Sequence, residues 1–500
     1  MDYQLLAIFL YVAALLLIGA LASRRTRSMA DYFAGGRRQG FWVASFSARA
    51  TGESAWLLLG LTGLGAAEGI KGFWVVLGEV LGVAGAWLLM SRRFKILTDR
   101  YDSITVPDYL EDRFAGQSGR ALRALSAGTL LIFVPIYVSA QIHSTGEAFN
   151  FFLDWNYYVG ALFGFAVVML YITRGGFIAV VWSDVFQGLL MVCGLVLLPL
   201  AGIWYLGGTG ELFAALSSAY PGHLDILGGQ GWSLLNIASI IGLMGIGLGF
   251  LGSPQVFVRF ISLRSKREIP KGAAVAMIWT LLADSGAVLV GVVGRAVLTG
   301  DLGAGGQEVL PQLVDFLMHP FVAGIYIAVV LSAIMSTIDS LLVVASSAAV
   351  RDYYQKIFHP SLPDHKLVGM SRNLTVVLAF AALAVSMAIA LLTGRQPIFW
   401  FVIFGWSGIA ATFCPTVILS LFWKGLTARG ALAAMVAGFL AIPFFKFLAP
   451  QLAVVGPYFD LTEEMAPSFA VGFLTAFVVS SLDKNGQAGL RHALDGLDED

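Results

Sequence analysis

The sequence predicts an all-α polytopic membrane protein with thirteen transmembrane helices and a five-plus-five inverted-repeat core. Three observations carry this reading. Hydrophobic side chains make up 58% of the 500 residues and charged ones only 12%, whereas soluble domains are roughly a quarter charged. Apolar windows of about 20 residues, the length that crosses about 30 Å of hydrocarbon, recur along the whole chain. Two of these windows, five helices apart, are interrupted by glycines, a proline or charges that a lipid-facing helix does not tolerate.

In order, the windows fall at 4–22, 42–65, 72–91, 122–146, 157–173, 186–206, 233–257, 272–297, 321–349, 370–393, 397–423, 428–448 and 465–482. The first ends in Ala20-Leu21-Ala22, which imitates a cleavage site, yet no basic residue precedes it and Arg24, Arg25 and Arg27 follow. That order is the reverse of a signal peptide's, so residues 1–23 are expected to stay as an extra N-terminal helix. The remainder divides into a first repeat (42–206), a second repeat (233–423), two C-terminal helices (428–482) and a short tail (483–500). With the N-terminus outside, 26 of the 31 basic residues fall in inner loops, the run from Arg259 to Lys271 among them. Only Lys71, Arg295, Arg395 and Lys446 fall outside. Because Lys and Arg concentrate in cytoplasmic loops, the chain is placed in the cell (inner) membrane with its N-terminus outside and its C-terminus cytoplasmic. The one remaining basic residue, Arg49, lies inside a span.

A formal net charge of zero offers nothing for nucleic acid to recognise. Cys193 and Cys414 both sit in apolar runs and suggest neither a disulfide nor a metal site. There is no H-E-x-x-H, no G-x-S-x-G and no cluster among the six histidines, so the sequence reads as no enzyme. Function is therefore expected among the helices, within the lipid bilayer. Oligomeric state stays open, since apolar faces toward lipid and toward a partner look alike.

Three spans break the rules of a lipid-facing helix. Span two carries ARATGESAW (48–56), with Arg49, Gly52 and Glu53 inside the hydrocarbon. Span seven carries GLMGIGLGFLGSPQVF (242–257). Folds built from inverted repeats interrupt the corresponding helix of each half to make a midplane binding site; glycines also let helices pack closely. Span nine carries LSAIMSTIDSLL (331–342), where Ser336, Thr337, Asp339 and Ser340 offer hydroxyls and a carboxylate. Such oxygens suit a hard cation, although Ser and Thr also bond back to the preceding turn. An unpaired carboxylate at mid-span costs about 3 kcal/mol on insertion scales, which favours a partner for Asp339.

DYFAGGRRQG (31–40), YITRGGFIAVVWSDVFQG (171–188), SPQVFVRF (253–260), LSAIMSTIDSLL and GIAATFCPTVILSLFWKGLTARGALAAMVAG (408–438) resemble, in this order, the signatures of the solute:sodium symporter family, nearest to its bacterial sodium/proline branch. The likeness runs from about residue 3 to 482. It implies a sodium-driven uptake system for a small organic solute, with sodium ions as its cofactor. One sodium would use backbone oxygens near Ala50 and Glu53, the carbonyl of Ala333 and the hydroxyls of Ser336 and Thr337. Some members hold a second sodium, for which Asp184, Ser336, Asp339 and Ser340 match. Asp184 could equally cap the start of span six. Arg37 matches an arginine near the inner gate, and is equally one of the positive-inside charges.

The resemblance fails in part at ARATGESAW. Where the proline branch has an aspartate important for sodium, this chain has Gly52, and the acid comes one position later as Glu53, turned by about 100° around a helix. Arg49 and Glu53, four apart, could simply pair. Glu53 could instead take part in coupling, as a sodium ligand or as a carboxylate that exchanges protons, and Arg49 could bind a substrate carboxylate. The expected substrate face is Arg49, Ser54, Trp56, Tyr137, Ile246, Phe250 and Pro254, with Ile246 and Phe250 at positions that are aromatic in the proline branch. The reading is a secondary transporter that couples inward sodium movement to uptake of an amino acid such as proline or another carboxylate-bearing solute. A proton-coupled or uncoupled transporter and a substrate sensor are the alternatives.

Overall fold

The computed structural model describes residues 3–25, 29–114, 116–393 and 397–488. Arg27, Arg395 and the tail from 489 onward, with Arg491, lie outside them. Among the described residues the one extended pairing is a bridge between Gln39 and Leu263. The rest of the regular structure is helix, the element that satisfies its own backbone in lipid.

Eleven described helices are long and apolar enough to cross a membrane, two fewer than the thirteen windows. The difference arises at two places. Window 42–65 forms no single helix. Phe41–Gly52 ends inside it, and its second half joins window 72–91 in the run Trp56–Arg100, which turns at Gly69 (φ 65°, ψ −141°). Window 157–173 forms only the shorter apolar helix Tyr157–Leu170. A kink at Gly176 (φ 55°, ψ −153°), a conformation open to glycine, follows it.

Two expectations are corrected here. Span six begins at Gly176 rather than 186, so Asp184 lies two turns inside a helix. The amides there are already bonded, which removes the capping role. Arg259 is not a loop charge: it belongs to the helix Pro254–Ser262 and is buried.

The molecule is centred on the run Pro320–Phe358, of whose most apolar window 94% is buried, against 28% for the peripheral helix Met465–Leu482. Its helical part, Pro320–Ser347, packs on Tyr3–Ser23, Gly116–Leu153 and Tyr157–Leu206. The second broken span runs as Leu234–Gly245, tightens into the turn Ile246–Phe250 and stops. It restarts with Pro254 in the first turn of Pro254–Ser262, where a missing N–H costs nothing. The glycines of this span also pack closely. A Cβ on Gly247 would strike the Gly78 carbonyl of the helix Phe73–Ala84.

Candidate functional site

Phe41–Gly52 stops because Glu53 takes an extended backbone (φ −84°, ψ 154°). The last carbonyls of a stopped helix have no intrahelical partner, and here they face Pro320–Ser347. Ser336 Oγ lies 2.9 Å from Ala50 O and 3.1 Å from Ala333 O. Thr337 Oγ1 lies 2.6 Å from Glu53 O, 3.1 Å from Ala333 O and 3.3 Å from Thr51 O. Each hydroxyl brings a single proton, so two protons stand among four carbonyl oxygens. The cradle has more acceptors than donors, the electrostatic character of a cation site. Both hydroxyls also bond back to Ala333, so the local and the site-forming readings coexist. On the other side of the break Gln141 supplies what the backbone lost. Its Oε1 accepts from Ala55 N–H at 3.2 Å and its Nε2 donates to Ser54 Oγ at 3.2 Å.

A second polar group lies on the other flank of Phe41–Gly52. Asp184 Oδ2 accepts from Ser47 Oγ at 2.5 Å, Thr51 Oγ1 at 3.4 Å and Arg259 Nη2 at 3.2 Å. Arg259 also donates to Thr51 Oγ1 at 2.7 Å, Ser340 Oγ at 2.6 Å and Ser47 Oγ at 2.9 Å. Asp339 Oδ1 accepts from Ser340 Oγ at 3.4 Å. Asp184, Asp339 and Ser340 thus do come together, around a guanidinium.

Arg49 points to a third group. It pairs with Glu53, and its Nη2 lies 3.5 Å from Glu79 and 3.9 Å from Asp284. All four side chains are buried. The Arg49 guanidinium lies over the rings of Phe250 (4.5 Å) and Trp279 (5.5 Å). The i,i+4 pairing of Arg49 with Glu53 is present, as part of a larger cluster.

The remaining substrate-face residues divide. Phe250 meets Trp406 tilted at 5.0 Å, Tyr137 meets it edge-on at 6.4 Å, and Ile246 O accepts from Trp406 Nε1 at 3.0 Å. Trp56 meets Phe399 at 6.2 Å and donates from Nε1 to Gly52 O at 3.4 Å. Phe399 also lines a cavity of about 460 Å³, together with Gly60, Leu64, Lys71, Trp400 and Glu463. Trp56 is thus reached from the cavity across one ring. Pro254 lies apart from this aromatic group and lines a small separate cavity with Phe33, Thr105, Val343 and Asp352. Arg37 bonds Ser103 O at 2.9 Å and Asp102 at 3.1 Å.

Gln141, Trp406, Arg259, Glu79 and Asp284 escaped the sequence reading. Glu79 and Asp284 were detectable as lone acids within apolar windows, and Arg259 as an arginine two residues beyond the broken span 233–257.

Two interrupted helices around a hydroxyl-lined acceptor cradle, inside a bundle that crosses the membrane many times, define a secondary active transporter. The chain belongs to the sodium:solute symporter family, whose model matches residues 32–438. It couples sodium movement to uptake of a small solute. It is 37% identical to the high-affinity proline transporter PutP of Bacillus subtilis, over 94% of this chain and 96% of that one. It is 33% identical to the sodium/proline symporter of Escherichia coli, over 98% and 95%. In fold it is similar to a sodium-coupled sialic acid symporter solved substrate-bound and outward-open, with TM-score 0.80 at 19% identity, covering 96% of this chain and 98% of that one.

Proposed function

We propose that the chain takes up proline or a similarly small amino acid, with sodium bound at the break in span two. The observation that carries this is the convergence of Ala50 O, Glu53 O, Ala333 O, Ser336 Oγ and Thr337 Oγ1 from two helices. An ion there ties span two to span nine, and so links sodium binding to the shape of the break. The substrate lies against Trp56, Tyr137, Ile246 and Phe250, with Ser54 beside the break. The names of the relatives at 37% and 33% identity favour proline. Arg49 is engaged by carboxylates and Pro254 lies apart, so neither is assigned a substrate contact. Asp184, Asp339 and Ser340 remain the residues a second sodium would use if Arg259 withdrew from them.

We place the N-terminus outside, with residues 42–206 and 233–423 as the two inverted repeats. Residues 1–23 and 428–482 then flank the core, and 483–500 form a cytoplasmic tail. In that orientation the large cavity opens outward. Sodium enters, orders the break, the solute follows, and the core rocks to open the inner side. Each sodium crossing about 100 mV releases about 2.3 kcal/mol, and each tenfold gradient adds about 1.4 kcal/mol.

The test is uptake of a labelled amino-acid panel, proline included, into proteoliposomes under an inward gradient of sodium, of protons, or of neither. Accumulation driven by sodium alone is expected. Accumulation driven by protons favours the proton-coupled alternative, flux indifferent to both ions favours an uncoupled carrier, and no flux of any solute favours a sensor.

A further inference from the structure

We infer that Glu53, Glu79 and Asp284 form a further cation site for a hard metal ion, separate from the carbonyl cradle and from the Asp184–Asp339 group. The three carboxylates come from three elements: the break in span two, the helix Phe73–Ala84 and the helix Ile269–Val297. One oxygen from each lies within 4.8 Å of the others, and all three side chains are fully buried.

The charges do not balance. Arg49 is the one cation paired with these three acids among the described residues, so with all three ionised two negative charges are left over. Buried charges without compensation are strongly disfavoured. In the neighbouring group Asp184 Oδ2, by contrast, accepts from Arg259 and two hydroxyls.

Hydrogen bonding is unfinished as well. Glu53 Oε2, Glu79 Oε1 and both oxygens of Asp284 have no hydrogen-bond donor, and Arg49 Nε and Nη1 have no acceptor. Four fully buried acceptor atoms without donors are costly, and an oxygen-only set of this kind suits a hard cation. The Arg49 guanidinium is also shared with the Phe250 and Trp279 rings, at 4.5 Å and 5.5 Å.

Glu53 joins the two sites. Its carbonyl faces Thr337 in the cradle while its carboxylate enters the cluster. Occupying either site biases the conformation of the same residue, which couples the two ions. Sodium and a divalent ion such as calcium share the chemistry required: sodium leaves one negative charge, calcium none. A role in transport rests on the sodium-coupled reading above, but binding itself does not.

Equilibrium binding of radiolabelled sodium and radiolabelled calcium to the purified full chain in nanodiscs tests this. The variants are Ser336→Ala, Glu79→Gln, Asp284→Asn and Glu79→Asp. The expected result is one ion, sodium or calcium, that survives Ser336→Ala, disappears in Glu79→Gln and Asp284→Asn, and persists more weakly in the charge-preserving Glu79→Asp. If every ion bound by the wild type is lost in Ser336→Ala, or if ion numbers are the same in wild type and Glu79→Gln, the site does not exist. Should Glu79→Gln lose all binding through misfolding, Glu79→Asp decides: a chain that keeps the Ser336-dependent ion and no other overturns the proposal. A wild type with no Ser336-dependent sodium would instead sink the cradle assignment and leave this site standing.

Discussion

Ser336 and Thr337 stand where one missing oxygen is felt most directly. A hydrogen bond or ligand oxygen to a charged group is worth about 1.5–3 kcal/mol, so Ser336→Ala is expected to raise the half-saturating sodium concentration about 10- to 100-fold. Ser332 is the control. It lies one turn earlier, where its hydroxyl donates to Ala328 O at 2.7 Å and also meets Tyr11, and Ser332→Ala should leave the sodium dependence of uptake unchanged. An equal effect of both substitutions would remove the cradle from span nine. Gly52, where the sequence departs from the proline branch, has its own logic. A Cβ there would collide with the Phe250 ring, which is held between Arg49 and Trp406. Gly52→Ala should therefore weaken solute binding more than it weakens the fold, and Phe250→Leu on that background should recover part of the loss. Uptake KM for the two variants settles it.

Broken helices show how much of this site could be read before it was seen. The interruption at 53–54 was legible because charges and glycine in hydrocarbon violate backbone and solvation rules locally, and the hydroxyl row of span nine because period 3.6 places Ser336 and Ser340 on one face. What could not be read was partnership across elements. Glu79 and Asp284 meet Arg49 from positions 30 and 235 residues away, and nothing local in the chain announces that meeting. The same limit hid where the windows divide, since a kink at Gly69 or Gly176 depends on what the turn packs against. Span seven illustrates an element whose glycines serve two purposes. Gly247 touches the backbone of Gly78, and backbone cannot yield as a side chain can. Gly247→Ala is expected to destabilise the chain by about 1–3 kcal/mol, the usual cost of overpacking. Gly210, with open space around its Cβ position and a helical setting in Thr209–Ala219, should instead tolerate alanine or gain a few tenths of a kcal/mol. Thermal melting of the two purified variants compares them directly, and equal melting would show that the close approach at Gly247 is not required.

Charge networks close the molecule at one end and line its mouth at the other. Arg123 joins Asp108 (2.6 Å), Asp352 (2.8 Å) and Glu111, and Arg351 reaches Asp108 at 3.2 Å. Burial pushes the Asp108 carboxyl up, but the two guanidiniums outweigh it and hold it below its usual range. A depressed acid contributes stability above its ordinary value near 4 and loses it only as pH falls further, so Asp108 keeps its charge in this network at physiological pH. Glu463 behaves in the opposite way. It sits in the wall of the large cavity, where burial pushes its carboxyl up to about 7, against the pull of Lys446 at 2.6 Å and with help from neighbouring Glu464. A raised acid gives stability that is full below its ordinary value and is lost as pH rises through about 7. Over that window the mouth, which also carries Glu68, Lys71 and Asp460, gains one negative charge. A unit charge about 10 Å from a passing cation in water is worth about 0.4 kcal/mol, or about twofold in concentration. The half-saturating sodium concentration for uptake should therefore fall about twofold between pH 6 and pH 8, with a midpoint near 7, and Glu463→Gln should flatten the profile at its acid-side value. Since Glu463 lines the cavity proposed as the entry path and not the cradle, maximal uptake should hardly change. A pH step that persists in Glu463→Gln would place the titrating group deeper in the core.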